Sequence, residues 1–125
     1  MTHVSVRDVG AYCKRRAGRG LQGIIAYGSQ EYEIYFLSDT VRDSFGDEQI
    51  TNLVELGRDL HNTIGLAGTV APELGTPRAN VYTFSNLFVI HFTRTETEGI
   101  LVAFSERSGK SLYRVIDDCL ERIDA

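Results

Sequence analysis

No apolar run in this 125-residue chain approaches the roughly 18 residues of a membrane span. The opening stretch MTHVSVRDVG also lacks the apolar centre of a secretory signal. These two absences set the expectation of a cytoplasmic chain with no membrane partner. Cysteine is scarce. Cys13 and Cys119 form neither a metal-ligand spacing nor a disulfide framework, which agrees with a reducing compartment. Proline is confined to Pro72 and Pro77, so the periodic segments elsewhere run without its breaks. Lysine is nearly missing: eleven of the 13 basic residues are Arg, a choice that leans toward a salt-loving or GC-rich source.

What is present is an ordinary globular composition of one domain's length, enough for a single filled core. The net charge of −4 hides an asymmetry. Arg7, Lys14, Arg15, Arg16 and Arg19 stand against Asp8 alone in the first twenty residues, so the rest of the chain is markedly acidic. Three segments carry helical periodicity. The first covers about 3–17, with Val6, Val9, Gly10, Cys13 and Ala17 on one side. The second starts at Asp47, and Ile50, Leu53, Val54, Gly57, Leu60, His61 and Ile64 recur every three or four residues. Asp47 and Glu48 suit its positive end, and Gly65 is expected to stop it. The third starts near Ser111 and carries Leu112, Val115, Ile116, Cys119, Leu120 and Ile123.

Between them lie five β-rich runs: 21–28, 32–38, 79–84, 87–92 and 99–105. Gly28-Ser29-Gln30-Glu31 reads as a hairpin turn, and Ser85-Asn86 and 93–98 are short connections between antiparallel neighbours. The stretch 67–78, which holds both prolines, reads as a loop. Order α-ββ-α-βββ-α therefore predicts an α/β (α+β) fold, a central antiparallel sheet with helices on both faces.

The chemical motifs are few. Ser108-Gly109-Lys110-Ser111 looks like the tail of a phosphate loop, but such a loop needs an early glycine where this chain has Phe104. Ser108 or Ser111 as a helix cap explains the stretch without a nucleotide. Lys14–Arg19 sits where a helix ends, a place that favours cations on local grounds. It reads as a solvated helix end, with an acidic protein partner as the alternative. No aromatic interleaves with it to stack a base, so no nucleic-acid partner is expected. His3, His61 and His91 share no metal spacing, and His61 and His91 read as satisfied, partly buried residues. Cys13 and Cys119 lie on apolar helix faces and read as inert thiols. Asp117, Asp118 and Glu121 read as a solvated acidic face. No nucleophile, base and oxyanion donor assemble, so the expectation is no enzyme, no cofactor and no metal.

The element order, with GLQGIIAYG at the first strand, NLVELGRDLHNTIG along the middle helix and the run from Ala79 to Ile123, resembles the roadblock family of dynein light-chain and Ras-like-GTPase-regulator domains. The resemblance covers about 3–123. It departs at the first turn, where the family often has Asp-Gly, and in the longer stretch at 67–78. The chain is also similar to a group of small haloarchaeal proteins. The roadblock resemblance implies strand order 2-1-5-4-3, the middle helix on one face and the terminal helices on the other, with Cys13 and Cys119 close together. It further implies a homodimer in which the edge strand Val81, Tyr82, Thr83 and Phe84 and the middle-helix residues Leu53, Leu56 and Leu60 meet a second copy. The implied function is a non-catalytic regulatory or scaffold module that binds another protein, with a small Ras-like GTPase as the candidate. Glu55, Arg58, Asp59 and Asn62 are then expected on the exposed partner-binding surface, so Arg58→Glu should weaken binding and spare the melting temperature. The rival expectation is a small-ligand sensor whose cup closes under 67–78.

Overall fold

A computed structural model describes residues 2–105 and 112–124. Its elements are α1 (Thr2–Ala17), β1 (Leu21–Tyr27), β2 (Tyr32–Leu37), α2 (Asp39–Ser44), α3 (Asp47–Val70), β3 (Ala79–Thr83), β4 (Leu87–Thr93), β5 (Gly99–Ser105) and α4 (Leu112–Asp124). Short 3-10 turns at Gly18–Gly20 and Pro72–Leu74 join α1 to β1 and α3 to β3. All five strands form one antiparallel sheet in the order β2-β1-β5-β4-β3, as expected.

Strand alternation sorts the apolar side chains onto two faces. Phe88, Ile90 and Phe92 of β4 and Ile100, Val102 and Phe104 of β5 point to the side covered by α1 and α4. There they meet Val6, Val9 and Cys13 from α1 and Val115, Cys119 and Ile123 from α4. Ile25, Tyr27, Val89 and Leu101 point the other way, onto Ile50 and Val54 of α3. One irregularity tunes this division. Between Leu21 and Gly23 the β1–β5 register shifts, so Leu21 and Ile24, three apart, both reach the α1/α4 side.

The structure corrects two boundaries. α3 does not stop at Gly65 but runs through Gly68 to Val70, and Ala71 N–H closes its last turn on Ala67 O at 2.9 Å. Glycine in a helix costs only about 1 kcal/mol. Pro72, which has no N–H and clashes with a preceding turn, is what ends the helix. Pro77 then packs back on α3, where a Cβ on Gly68 would lie 3.3 Å from its Cδ. The irregular stretch therefore spans 71–78 rather than 67–78. The second correction is α2. Ser38 Oγ accepts from Val41 N–H at 3.2 Å and donates to Gln22 Oε1 at 2.8 Å, so the residue after β2 caps a short helix. At the start of α3, Gln49 Oε1 accepts from Gly46 N–H at 2.8 Å, and Asp47 and Glu48 occupy the first turn.

The α1–α4 contact carries the two cysteines. Cys13 Sγ and Cys119 Sγ lie 3.8 Å apart, both fully buried. The shared thiol contact and burial push the Cys119 thiol up, which keeps it protonated and inert. Asp118 is not merely solvated. Its Oδ2 accepts from Tyr12 O–H at 2.7 Å, while Arg122 stacks 4.3 Å over the Tyr12 ring. Burial first, then that hydrogen bond and charge, raise the Tyr12 phenol to about 12. Phe104, at the place where a phosphate loop needs its first glycine, is buried and stacks on Phe88 at 5.3 Å. Ser108, Ser111 and the rest of 106–111 lie outside the described residues.

Candidate functional site

β3 is one edge of the sheet and β2 the other, and α3 runs beside β3 on its own face of the sheet. Between them lies an open groove of about 400 Å³, lined by Leu53, Leu56 and Leu60 from α3, Tyr82 and Thr83 from β3, and Phe84 just after it. Its floor is Gly57, Val89 and Leu101. Gly57 lets the helix sit low, since a Cβ there would already touch Leu101 at 3.4 Å. Leu56 is 50% exposed and Phe84 55%, so two large apolar side chains rim the groove with nothing covering them. The structure thus gathers six of the nine expected interaction residues in one place. Val81 points through the sheet to the α1/α4 side and does not line the groove. Asp59 is exposed on the outer face of α3.

Arg58 departs from expectation. Its Nε donates to Gly28 O at 3.0 Å, one terminal nitrogen donates to Glu31 O at 2.8 Å, and the other pairs with Glu55. The side chain is only 17% exposed and lies 5.9 Å over the Tyr27 ring. It clamps the β1–β2 turn to α3, on the flank away from the groove. The reason lies in that turn: Glu31 O accepts from Gly28 N–H at 2.9 Å with one lone pair, and its other lone pair and Gly28 O are what the guanidinium satisfies.

Beneath α3 lies a buried polar chain. Tyr27 Oη is 2.6 Å from His61 Nδ1 and 2.5 Å from His91 Nε2. His61 Nε2 is 2.8 Å from Thr95 O, and His91 Nδ1 is 3.3 Å from Tyr82 Oη. A carbonyl can only accept, so with both imidazoles neutral that end orders every proton in the chain. His61 carries its hydrogen on Nε2 and donates to Thr95 O, and its bare Nδ1 accepts from Tyr27 O–H. Tyr27 oxygen then accepts from His91 Nε2–H, and His91 Nδ1 accepts from Tyr82 O–H. Burial, then the neighbouring His61, lower His91 from 6.5 to about 4, while burial raises Tyr27 and Tyr82. Gly99, the ladder partner of Tyr27, makes the chain possible: a Cβ there would collide with the Tyr27 hydroxyl. Composition and spacing show two unrelated histidines. That a tyrosine hydroxyl bridges them follows only from the register of β1, β4 and β5.

A second concavity of about 470 Å³ lies under the 71–78 stretch, walled by Ile64 and Gly68 of α3, Pro72 and Pro77, and the β4–β5 turn at Thr95. His61 lines it from inside. Arg78 and Arg94 reach its rim, paired with Asp124 and Glu98 respectively. At the other end of the molecule Lys14, Arg15, Arg16 and Arg19 are exposed, and Lys14 Nζ lies 4.8 Å over the Phe36 ring. Among the described residues no three His, Cys, Asp or Glu side chains converge as metal ligands. No helix among them is long and apolar enough to cross a membrane.

The architecture is similar to solved structures of little sequence likeness. The roadblock/LC7 domain from Streptomyces avermitilis aligns with a TM-score of 0.50 at 11% identity, covering 92% of this chain and 94% of that one. The gliding protein mglB from Thermus thermophilus aligns with a TM-score of 0.47 at 11% identity, covering 91% and 90%. The fold is roadblock-like. No curated protein matches the chain. A family model described as a domain of unknown function, DUF7522, matches residues 7–124, and the chain belongs to that family.

Proposed function

We propose that the chain is a one-domain, non-catalytic interaction module that works as a homodimer through the α3/β3 groove. The observation that carries this reading is the groove itself: uncovered Leu56 and Phe84 beside the unpaired edge of β3. A second copy is the occupant that fits. An unpaired strand edge offers donors and acceptors in alternation, which the same edge, turned about a two-fold, matches. The leucines flanking α3 then meet their own images. The enclosure of Tyr27, His61 and His91 by one another supports a non-catalytic reading, since their polar atoms are spent on internal bonds.

Sedimentation equilibrium tests the assembly. The wild-type chain should be dimeric at micromolar concentration, and Phe84→Asp should be monomeric and folded. A wild-type monomer at the highest soluble concentration overturns the reading. The further partner is another protein, and the roadblock resemblance makes a Ras-like GTPase the candidate. Titrating purified Ras-like GTPases of the source organism, in GDP and GTP forms, into the dimer checks it; absence of heat with all of them removes that class.

A small-ligand sensor is the second reading, favoured by the concavity under 71–78, where a filled core would have argued against it. Thermal shift against a metabolite panel tests it. A stabilisation lost when Gly68→Trp fills the space supports the sensor.

A further inference from the structure

The polar chain joins the two concavities. His61 lines the one under 71–78, and Tyr82 lines the groove. Between them every polar atom in the line is partnered, and all the hydrogens point the same way, from Tyr82 toward Thr95. A chain with uniform polarity can be reversed as a unit by one proton. Suppose Tyr82 takes a proton from hydronium, leaving water, and passes its own to His91 Nδ1. His91 gives its Nε2 hydrogen to Tyr27 oxygen, and Tyr27 gives its original hydrogen to His61 Nδ1. One proton has entered, no heavy-atom bond has changed, and His61 has become imidazolium while His91 stays neutral in the other tautomer. Thr95 O still accepts from His61 Nε2–H. His91 Nδ1–H now donates to Tyr82 oxygen, so the Tyr82 hydrogen must turn away from His91.

We propose that Tyr82, His91, Tyr27 and His61 form a proton-operated switch that stores a proton at His61 and answers by turning the Tyr82 hydroxyl donor toward the groove that Tyr82 lines, loosening the second copy docked there. The charge rests on His61 because His91 has no exposure at all, whereas His61 reaches the concavity wall. The groups facing the switch come from each packed element: Arg58 with Glu55 from α3, Arg94, Glu96 and Glu98 from the β4–β5 turn, and Arg78 with Asp124 of α4 at the rim. Arg58, Arg94 and Arg78 are neutralised by Glu55, Glu98 and Asp124, and Glu96 adds a carboxylate to the concavity wall that His61 lines. That arrangement favours a cation at His61 over one deeper in. Burial and His61 both hold His91 neutral, in keeping with the same placement.

The groove's response rests on the dimer reading, and the test separates the two. Self-association is measured by sedimentation at about pH 8 and about pH 5, across the ordinary histidine range. The wild-type chain should dissociate more readily by about tenfold at the lower pH, the effect of one unsatisfied donor facing an apolar surface. Tyr82→Phe, which keeps the ring and removes the hydroxyl, should show no such loss. A wild-type dimer indifferent to pH, or a Tyr82→Phe dimer that loosens as much as wild type, overturns the proposal. Imidazole 15N NMR reads the switch without the dimer. His91 should carry its hydrogen on Nε2 at about pH 8 and on Nδ1 at about pH 5, with His61 doubly protonated only at the lower pH. If His91 keeps its Nε2 hydrogen throughout, or becomes doubly protonated itself, the switch is wrong whatever the assembly does. If the chain stays monomeric at both pH values yet the tautomers exchange as stated, the dimer reading fails and the proton switch stands.

Discussion

The two faces of the sheet are built on different terms. The α1/α4 face is dry: Phe92, Ile90, Ile100 and Val102 have no exposure and meet Val6, Val9 and Cys119, and the Tyr12–Asp118 hydrogen bond sits at its rim. The α3 face buries a smaller apolar cluster around Ile25, Val54, Val89 and Leu101, and gives the remaining space to a polar chain, a groove and a concavity. One face holds the fold together, and the other keeps surface and hydrogen bonds for use. A helix lying on a sheet normally closes over it. α3 leaves gaps: Gly57 sets its backbone against Leu101, Gly68 faces Pro77 rather than the sheet, and Leu56 and Leu60 line the groove beside the edge strand.

The contrast is broken most directly by cutting into each face. Phe92→Ala on the dry face should cost about 4 kcal/mol, since nothing polar or mobile can collapse into the cavity it leaves. Urea denaturation of the isolated variant checks this. A loss below about 1.5 kcal/mol would show the α1/α4 face to be looser than its burial indicates.

The α3 face should instead betray itself through pH. His91 takes a proton near 6.5 in the unfolded chain and near 4 in the folded one. The unfolded state therefore binds more protons between those values, and stability must fall as pH falls. The contribution is complete above about pH 6.5, is lost progressively down to about pH 4, and levels off below; its size is roughly 3 kcal/mol. Midpoints of urea denaturation from pH 7 to 4 measure it. His91→Gln should be less stable at pH 7 and flatter with pH, whereas an equally steep profile in that variant would assign the dependence to other groups.

Arg58→Glu comes next. Reading α3 as a wheel places Arg58 among the outward residues, free to exchange without harm. In the structure it donates to two turn carbonyls, so its replacement strips both and sets a carboxylate against them. A loss of about 2 kcal/mol is expected, with a lower melting temperature. An unchanged melting temperature would return Arg58 to the partner-binding surface.

Why the sequence misplaces Arg58 while placing its neighbours correctly is a matter of which signal each residue obeys. Val54, Gly57 and His61 announce the buried stripe through period 3.6, and the strand runs announce themselves through β-branched density. The sheet order then follows from the family resemblance. Arg58 lies on the flank of that stripe, where its role is set by carbonyls thirty residues away in the β1–β2 turn. No local period encodes that. The same holds for the polar chain, whose members come from β1, α3, β3 and β4. Only Gly99 hints at it, as a small residue opening an otherwise bulky strand. Of the boundaries, Ser38 before Asp39 was a legible cap signal for α2, masked by the strand that runs into it. Gly65 was a false stop because Pro72, seven residues on, is the stronger breaker. The leucine rim has a partial signal of its own: Leu56 stands off the buried stripe, where the roadblock resemblance assigns it to a contact with a second copy.

That off-stripe leucine gives the smallest expected effect on the isolated chain. Leu56 is half exposed and rims the groove without filling the core beneath it. Leu56→Ser removes little buried area from the monomer, and serine in an exposed helix position costs about 0.5 kcal/mol relative to a good helix former. The unfolding midpoint at concentrations too low for assembly should therefore move by no more than that amount. At high concentration the same change should matter, because in a dimer Leu56 meets apolar surface on the second copy and its loss exposes both. Wild-type stability should rise with protein concentration, as it must when folding is linked to association, and the variant's should not. A variant as concentration-dependent as wild type would place the interface away from α3. A variant that unfolds at every concentration would mean that the uncovered rim of the groove belongs to the core after all, and the difference between the two faces would shrink to the polar chain alone.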